Sequence, residues 1–242
     1  MKSFKKHCDY FITETDDVSK RLAKRLSIPS NKIFTVSNTY NSIFNSPEKW
    51  KYKLTLSKIS SSSFKLLTIS SFYTHKNLTV IPQVIDYLVE KYPEFEFIFI
   101  LSIDEYQLGL LTETHKKHIL FLGKVLIEEC PPLYQMADAL FMPTLLECFT
   151  VSYLEAMKMN TPILTSDLPF AHDICQKAAC YFNPLDPMEI GDKIVNLSND
   201  IYLQNNLVLN GQLRVKDFGT AKDRAKEYIS ILEKLVITKQ IS

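Results

Sequence analysis

At 242 residues the chain is long enough to bury a substantial core, and 46% hydrophobic with 23% charged residues is the balance of a soluble globular protein. A formal net charge of +1 offers no electrostatic footing for nucleic acid, so no nucleic-acid partner is expected. Apolar runs such as Phe97-Ile98-Phe99-Ile100-Leu101 are far too short to span a bilayer, and the basic start, Met1 to Lys6, lacks the apolar stretch of a secretory signal.

The first element is a strand at Tyr10-Phe11-Ile12-Thr13. A helix follows, with Asp16 and Asp17 at its start and Val18, Leu22 and Leu26 on one face. Lys20, Arg21, Lys24 and Arg25 form a basic face. It could meet an anionic membrane, but acids early and bases late also suit the helix dipole of a solvated face, which is the favoured reading. Ile33 to Val36 reads as a second strand. Residues 45–63 form a polar connection ending in four serines. Strands and helices then alternate. Strands are expected at Leu66–Ser70, Phe95–Leu101, Ile119–Leu122, Ala139–Met142, Pro162–Thr165 and Cys180–Phe182. Helices are expected over Val80–Lys91, around Leu133–Ala137, over Val151–Lys158 and Phe170–Lys177, and through the C-terminus. Near-continuous apolar strands separated by helices indicate a parallel sheet covered on both faces, a doubly wound, Rossmann-like α/β fold.

The five cysteines, Cys8, Cys130, Cys148, Cys175 and Cys180, form neither a C-x-x-C pair nor an even set. They read as reduced, mostly buried thiols of a cytoplasmic protein, and their spacing gives no metal-ligand pattern. Glycine is scarce, with only 5 residues against an average usage of about 7%. Other residues must therefore occupy the ligand turns where α/β proteins often place it.

Three strand-end turns carry polar chemistry, at the carboxyl ends of the strands where α/β proteins bind ligands. After the first strand of the main sheet, Ser70 to Asn77 includes His75 and Lys76. Lys76 could neutralise a phosphate or simply stand in solvent. The turn Leu122-Gly123-Lys124-Val125 either lets the backbone approach a planar base or only turns the chain tightly. The third runs from Pro143 to Met157, with Glu147 in a loop and Glu155 in the helix after it. A carboxylate there can hold sugar or ribose hydroxyls, and N–H groups opening the helix can face a phosphate. Either glutamate alone could equally be a cap or a solvated charge. There is no G-x-G-x-x-G, Walker or G-x-S-x-G pattern, which disfavours dinucleotide, P-loop and serine-nucleophile chemistry.

In order along the chain, these segments resemble the donor-binding half of retaining glycosyltransferases of family 4, with the GT-B fold. Ile69 to Asn77 is similar to the family turn V-G-R-L-x-x-x-K-G, and Phe121-Leu122-Gly123 to F-x-G. Leu133 to Asp138 follows L-Y-x-x-A-D, and Pro143 to Met157 follows P-S-x-x-E-G-F-G-x-x-x-L-E-A-M. Thr161-Pro162-Ile163 and Asn183 to Pro187 fit T-P-V and P-x-D-P, and residues from Cys8 to Asn41 look like the end of the family's N-terminal domain and its interdomain strand.

The resemblance implies a hexosyltransferase acting on a nucleoside-diphosphate sugar, with a glycan or lipid-linked acceptor as the second substrate. Glu155 would hold the ribose and Glu147 would lie near the transferred sugar, with Phe149, Thr150 and Val151 offering backbone groups beside Cys148. Lys76 would neutralise the diphosphate, and Gly123 and Lys124 would border the base. No metal or other cofactor is implied. The family arginine falls on Ser71, and family glycines fall on Thr39, Ser70, Asn77, Cys148 and Thr150. The implied organisation is a remnant of the acceptor domain in residues 1–44, the connection 45–63, the nucleotide-sugar domain 64–218 and a C-terminal helix 219–242 directed toward an N-terminal domain. That acceptor domain would be mostly missing, whether removed, lost or supplied on a separate chain, and the location cytoplasmic, either free or peripheral at the inner membrane face. A non-catalytic nucleotide-sugar-binding module is the alternative, and a GT-B-like epimerase a more distant one.

Overall fold

The computed structural model describes residues 7–52 and 59–241, without side chains for 238–241. Part of the expected 45–63 connection thus lies outside the described residues. The described part of that stretch holds the short 3-10 turn Pro47–Lys49, and another, Ser42–Asn45, leads into it.

The chain opens with β1 (Phe11–Thr13), α1 (Asp16–Leu26) and β2 (Ile33–Thr35), the two strands pairing in parallel with Phe11 opposite Ile33. Thr15 caps α1 by accepting the Val18 N–H at 3.2 Å, Asp16 and Asp17 occupy its first turn, and Lys24 and Arg25 its last. That arrangement satisfies an orphan donor and complements the dipole.

Six further parallel strands make the main sheet: β3 (Phe64–Thr68), β4 (Phe97–Leu101), β5 (Ile119–Phe121), β6 (Ala139–Met142), β7 (Ile163–Ser166) and β8 (Ala179–Phe182). Their spatial order is β5-β4-β3-β6-β7-β8, every pairing parallel. The connecting helices are α2 (Ile81–Lys91), α3 (Glu113–Lys117), α4 (Cys130–Met136), α5 (Val151–Lys158), α6 (Pro169–Cys175), α7 (Pro187–Asn199), α8 (Ile201–Arg214) and α9 (Ala221–Ile241). None of the described helices is long and apolar enough to cross a membrane.

The period of two along each strand divides the core. Leu66, Phe99 and Phe141 face one layer, packed with Ile81, Val84 and Leu88 of α2 and Ile190 and Ile194 of α7. Leu67, Ile100 and Leu140 face the other, against Tyr134, Tyr153, Leu154 and Phe170. Both faces are covered, which is why the strands read as unbroken apolar runs rather than alternating ones. Gly191 lets α7 close on α2, because a β-carbon there would lie 2.5 Å from the Tyr87 ring.

Several elements differ from the sequence expectation, β4 among them in starting at Phe97 rather than Phe95. β3 begins at Phe64 and ends at Thr68, two residues early. Its register is pinned by the Phe64 N–H on the Glu96 carbonyl and by the Thr68 hydroxyl on the Phe141 carbonyl at 2.6 Å. α4 starts at Cys130 because Pro131 and Pro132 occupy its first turn, where no N–H is required. α6 stops at Cys175, where Gln176 turns to φ 49°. α3 was not expected, although Thr112 and His115 cap it reciprocally. Among the cysteines, Cys130 and Cys175 are buried and Cys180 partly so, but Cys8 and Cys148 are exposed.

Candidate functional site at the strand carboxyl ends

β3 has β4 on one side and β6 on the other, and the strand order reverses there. Loops leaving β3 and β6 must diverge to opposite faces, which opens a crevice beyond the strand ends. Lys76 lies in the loop after β3 and Glu147 in the loop after β6. Their side chains meet across that crevice, Lys76 Nζ lying 2.5 Å from Glu147 Oε1, with side-chain exposures of only 16% and 10%.

The pair is built in. The Thr144 hydroxyl lies 2.9 Å from Glu147 Oε1 and 3.0 Å from the His75 carbonyl, and the Leu145 N–H donates to that same carbonyl at 2.7 Å. Asn77 closes the Lys76 turn at φ 55°, and its amide donates to the Pro184 carbonyl at 2.8 Å. Asparagine tolerates this left-handed conformation, which rationalises its standing where the resembled motif has glycine. Thr39, Ser70, Cys148 and Thr150 all have negative φ, so none needs glycine for backbone reasons.

The loop carrying Glu147 leads into α5 at Thr150. No side chain caps this helix, and the Thr150 hydroxyl is buried with no hydrogen-bond partner. First-turn N–H groups have no intrahelical acceptor, so this end presents donors and a partial positive charge. A buried hydroxyl without a partner costs about 1–3 kcal/mol, a cost that an acceptor arriving at the helix start would relieve. The loop backbone is gripped from α1: the Thr15 hydroxyl donates to the Cys148 carbonyl at 3.3 Å, and Arg21 reaches the Glu147 carbonyl at 3.4 Å. The Phe149 ring packs edge-on against Phe218 at 5.8 Å.

Glu155 lies apart from that pair. It is 8% exposed, and its Oε2 accepts the Tyr134 phenol at 2.8 Å. Burial raises its pKa above the ordinary carboxylate value, and the Tyr134 hydrogen bond partly opposes that rise. With Val151 it lines a cavity of about 650 Å³, across from Tyr40, Arg224 and Tyr228.

Ser71 and Lys124 line a separate cavity of about 430 Å³ at the ends of β3, β4 and β5, together with Ile69, Asp104 and Val125. Gly123 sits beside it at φ 61°, and a β-carbon there would come within 3.1 Å of the Asp104 carboxylate. Both the positive φ and that approach favour glycine.

The structure therefore joins Lys76 to Glu147, and Ser71 to Lys124, and holds Glu155 with Val151 at a third place. Sequence reasoning missed Thr144, Tyr134, Thr15 and Arg21. Tyr134 carried a signal as the tyrosine of Leu133 to Asp138. Thr15 and Arg21 carried none, being more than a hundred residues from the loop they hold. Among the described residues no group of three or more His, Cys, Asp or Glu is placed to bind a metal ion.

Residues 63–200 match the family described as Glycosyl transferases group 1. The chain is 27% identical over 203 residues to O-antigen chain mannosyltransferase RfbU of Salmonella typhimurium, covering 81% of this chain and 53% of that protein. It thus spans about half the length of the curated relative it matches. A glycosyltransferase from Rickettsia africae superposes with a TM-score of 0.77 at 14% identity, over 98% of this chain and 68% of its own. Anabaena Alr3699/HepE, solved in complex with UDP-glucose, gives 0.72 at 14% identity, over 93% and 64%. These structural likenesses concern the fold. The chain belongs to the group 1 glycosyl transferases.

Proposed function

We propose that this chain is the donor-binding half of a retaining glycosyltransferase of the family 4 type, transferring a hexose from a nucleoside-diphosphate sugar to a glycan or lipid-linked acceptor. The observation that carries the reading is the switch-point crevice, where the Lys76–Glu147 pair stands with the uncapped start of α5 and its unpartnered Thr150 hydroxyl. A diphosphate would take Lys76 as its counter-ion and the α5 N–H groups as hydrogen-bond donors. Glu147 would be released toward the transferred sugar, and the departing nucleoside diphosphate would be stabilised by charge and oriented dipoles. The cavity beside Ser71, Gly123 and Lys124 would take the base, and Glu155 the ribose. No metal is invoked. The sugar-transferase name of the relative from Salmonella and the UDP-glucose bound to HepE support a nucleotide-sugar donor. The acceptor would meet a domain beyond residues 1–44, consistent with coverage of about half of that relative.

The test is a thermal-shift screen of uridine-, guanosine- and adenosine-diphosphate sugars. One base class is expected to raise the melting temperature, by an amount set by ligand concentration over Kd. No shift with any of them would end the donor-site reading.

A second reading, nucleotide-sugar binding without turnover, is favoured by one observation: Ser71 stands where the resembled motif has arginine. Ser71→Arg separates the two. If a missing cation limits turnover, the substitution should raise the rate of donor hydrolysis or transfer at least tenfold; an already competent site should gain little.

A further inference from the structure

Glu155 is a buried carboxylate whose two oxygens are treated differently. Oε2 takes the Tyr134 phenol at 2.8 Å, while Oε1 has no hydrogen-bond partner among the described residues. Tyr134 is itself immobilised. It is fully buried in α4, its ring packs 5.9 Å from Phe44, and its carbonyl accepts the Thr161 hydroxyl at 2.9 Å. Burial and the neighbouring carboxylate push the phenol pKa well above its ordinary value, so it stays a donor.

We propose that Tyr134 is a positioning residue for donor recognition: its phenol fixes one oxygen of the Glu155 carboxylate and leaves the other to receive ligand hydroxyls. The inference rests on the donor-site reading above and concerns a residue that touches no ligand.

The electrostatic surroundings give the idea its sharpest consequence. Tyr134 faces Glu155 from α4, with Cys130 near the Tyr134 phenol; Tyr40 from the segment after β2 and Arg224 and Tyr228 from α9 line the same cavity as Glu155, with Lys158 farther along its own helix. Arg224 gives its terminal nitrogens to Glu14 at 2.8 Å and to Asn38, its buried Nε having no partner among the described residues, and Lys158 lies over the Tyr40 ring. No cation among the described residues pairs with Glu155. The phenol is thus the one group seen to favour its ionised form, against burial. Without the hydroxyl, Glu155 should hold its proton to higher pH and lose acceptor strength as pH falls.

The experiment compares the full chain with Tyr134→Phe in two measurements. The first is a ¹³C-carboxyl NMR titration of Glu155, which needs no ligand. Tyr134→Phe should move the titration to higher pH, and an unmoved curve overturns the proposal whatever the chain binds. The second is the Kd of the nucleotide sugar selected by the thermal-shift screen, at pH 6 and pH 8. Tyr134→Phe should weaken binding several-fold more at pH 6 than at pH 8, and adding Glu155→Gln should abolish that difference. Equal weakening at both pH values would mark Tyr134 as merely structural and overturn the proposal. A wild-type chain that binds no nucleotide sugar would instead sink the donor-site reading, leaving the NMR titration to decide whether Tyr134 governs Glu155.

Discussion

Two glutamates eight residues apart, on one loop-helix segment, are stabilised in opposite ways. Glu147 is nearly covered but has Lys76 at 2.5 Å and the Thr144 hydroxyl at 2.9 Å, so its charge is matched. Glu155 is buried to a similar degree with only a neutral phenol, and its pKa rises. Burial alone does not set a carboxylate's behaviour; the partner that a distant segment supplies does. Glu147 draws its partner from the loop after β3, Glu155 from α4. The first arrangement suits an exchange of counter-ions with an incoming anion, the second a fixed acceptor.

The largest expected effect comes from breaking the matched pair. Lys76→Ala leaves Glu147 uncompensated and removes the proposed diphosphate counter-ion. Removing one partner of a buried pair costs about 3–5 kcal/mol, so a clear loss of stability in denaturant unfolding is expected. Sugar-transfer or donor-hydrolysis rates should fall by about 10²-fold or more. Adding Glu147→Gln should restore much of the stability and none of the rate. If the double variant is no more stable than Lys76→Ala, the two side chains are not coupled.

Next in size, Glu155→Ala should weaken nucleotide-sugar binding by about 10-fold or more, as loss of a charged hydrogen-bond acceptor costs about 1.5–3 kcal/mol. Isothermal titration against the free nucleoside diphosphate tells whether the loss lies at the nucleoside end; unchanged affinity would remove Glu155 from the donor site.

A smaller effect is the pH dependence that Glu155 gives to stability. Because the native pKa of Glu155 is raised, the folded state holds its proton more tightly than the unfolded chain. Stability from this group is therefore present at low pH. It is lost as pH rises from the ordinary carboxylate value through the raised one. Glu155→Gln removes that dependence, so the variant should gain on wild type in melting temperature across that window and hold a constant difference above it. A constant difference at all pH values would show that Glu155 titrates alike in both states.

The smallest change tests the grip of α1 on the Glu147 loop. Thr15→Ala removes the α1 cap and the bond to the Cys148 carbonyl, for about 0.5–2 kcal/mol of stability. If Thr15 also steadies the loop, amide hydrogen exchange should quicken at Cys148 and Phe149 as well as in α1.

Much of this was legible in residue order. The strand runs at Ala139–Met142 and, two residues shorter than expected, within Phe95–Leu101 stood out because a parallel strand covered on both faces is apolar at every position. Less legible were boundaries set by long-range pairing. β3 is placed by its register against β4 and β6, and α3 is a five-residue turn with no apolar period to betray it. In the site, Lys76, Glu147 and Glu155 could be named from local turn chemistry, but Thr144 and Tyr134 gave no sign of whom they would bond.

By itself the sequence determined the α/β class, the strand-end turns and the residue types at each, because periodicity and turn chemistry are local properties. Tertiary structure alone decided that Lys76 meets Glu147 while Glu155 meets Tyr134. Which loops share a crevice depends on strand order, and β3 lies beside β6 only once the sheet is wound. The physical reason is that a carboxylate's charge state depends on desolvation and on partners within a few ångströms, and chain separation says nothing about either.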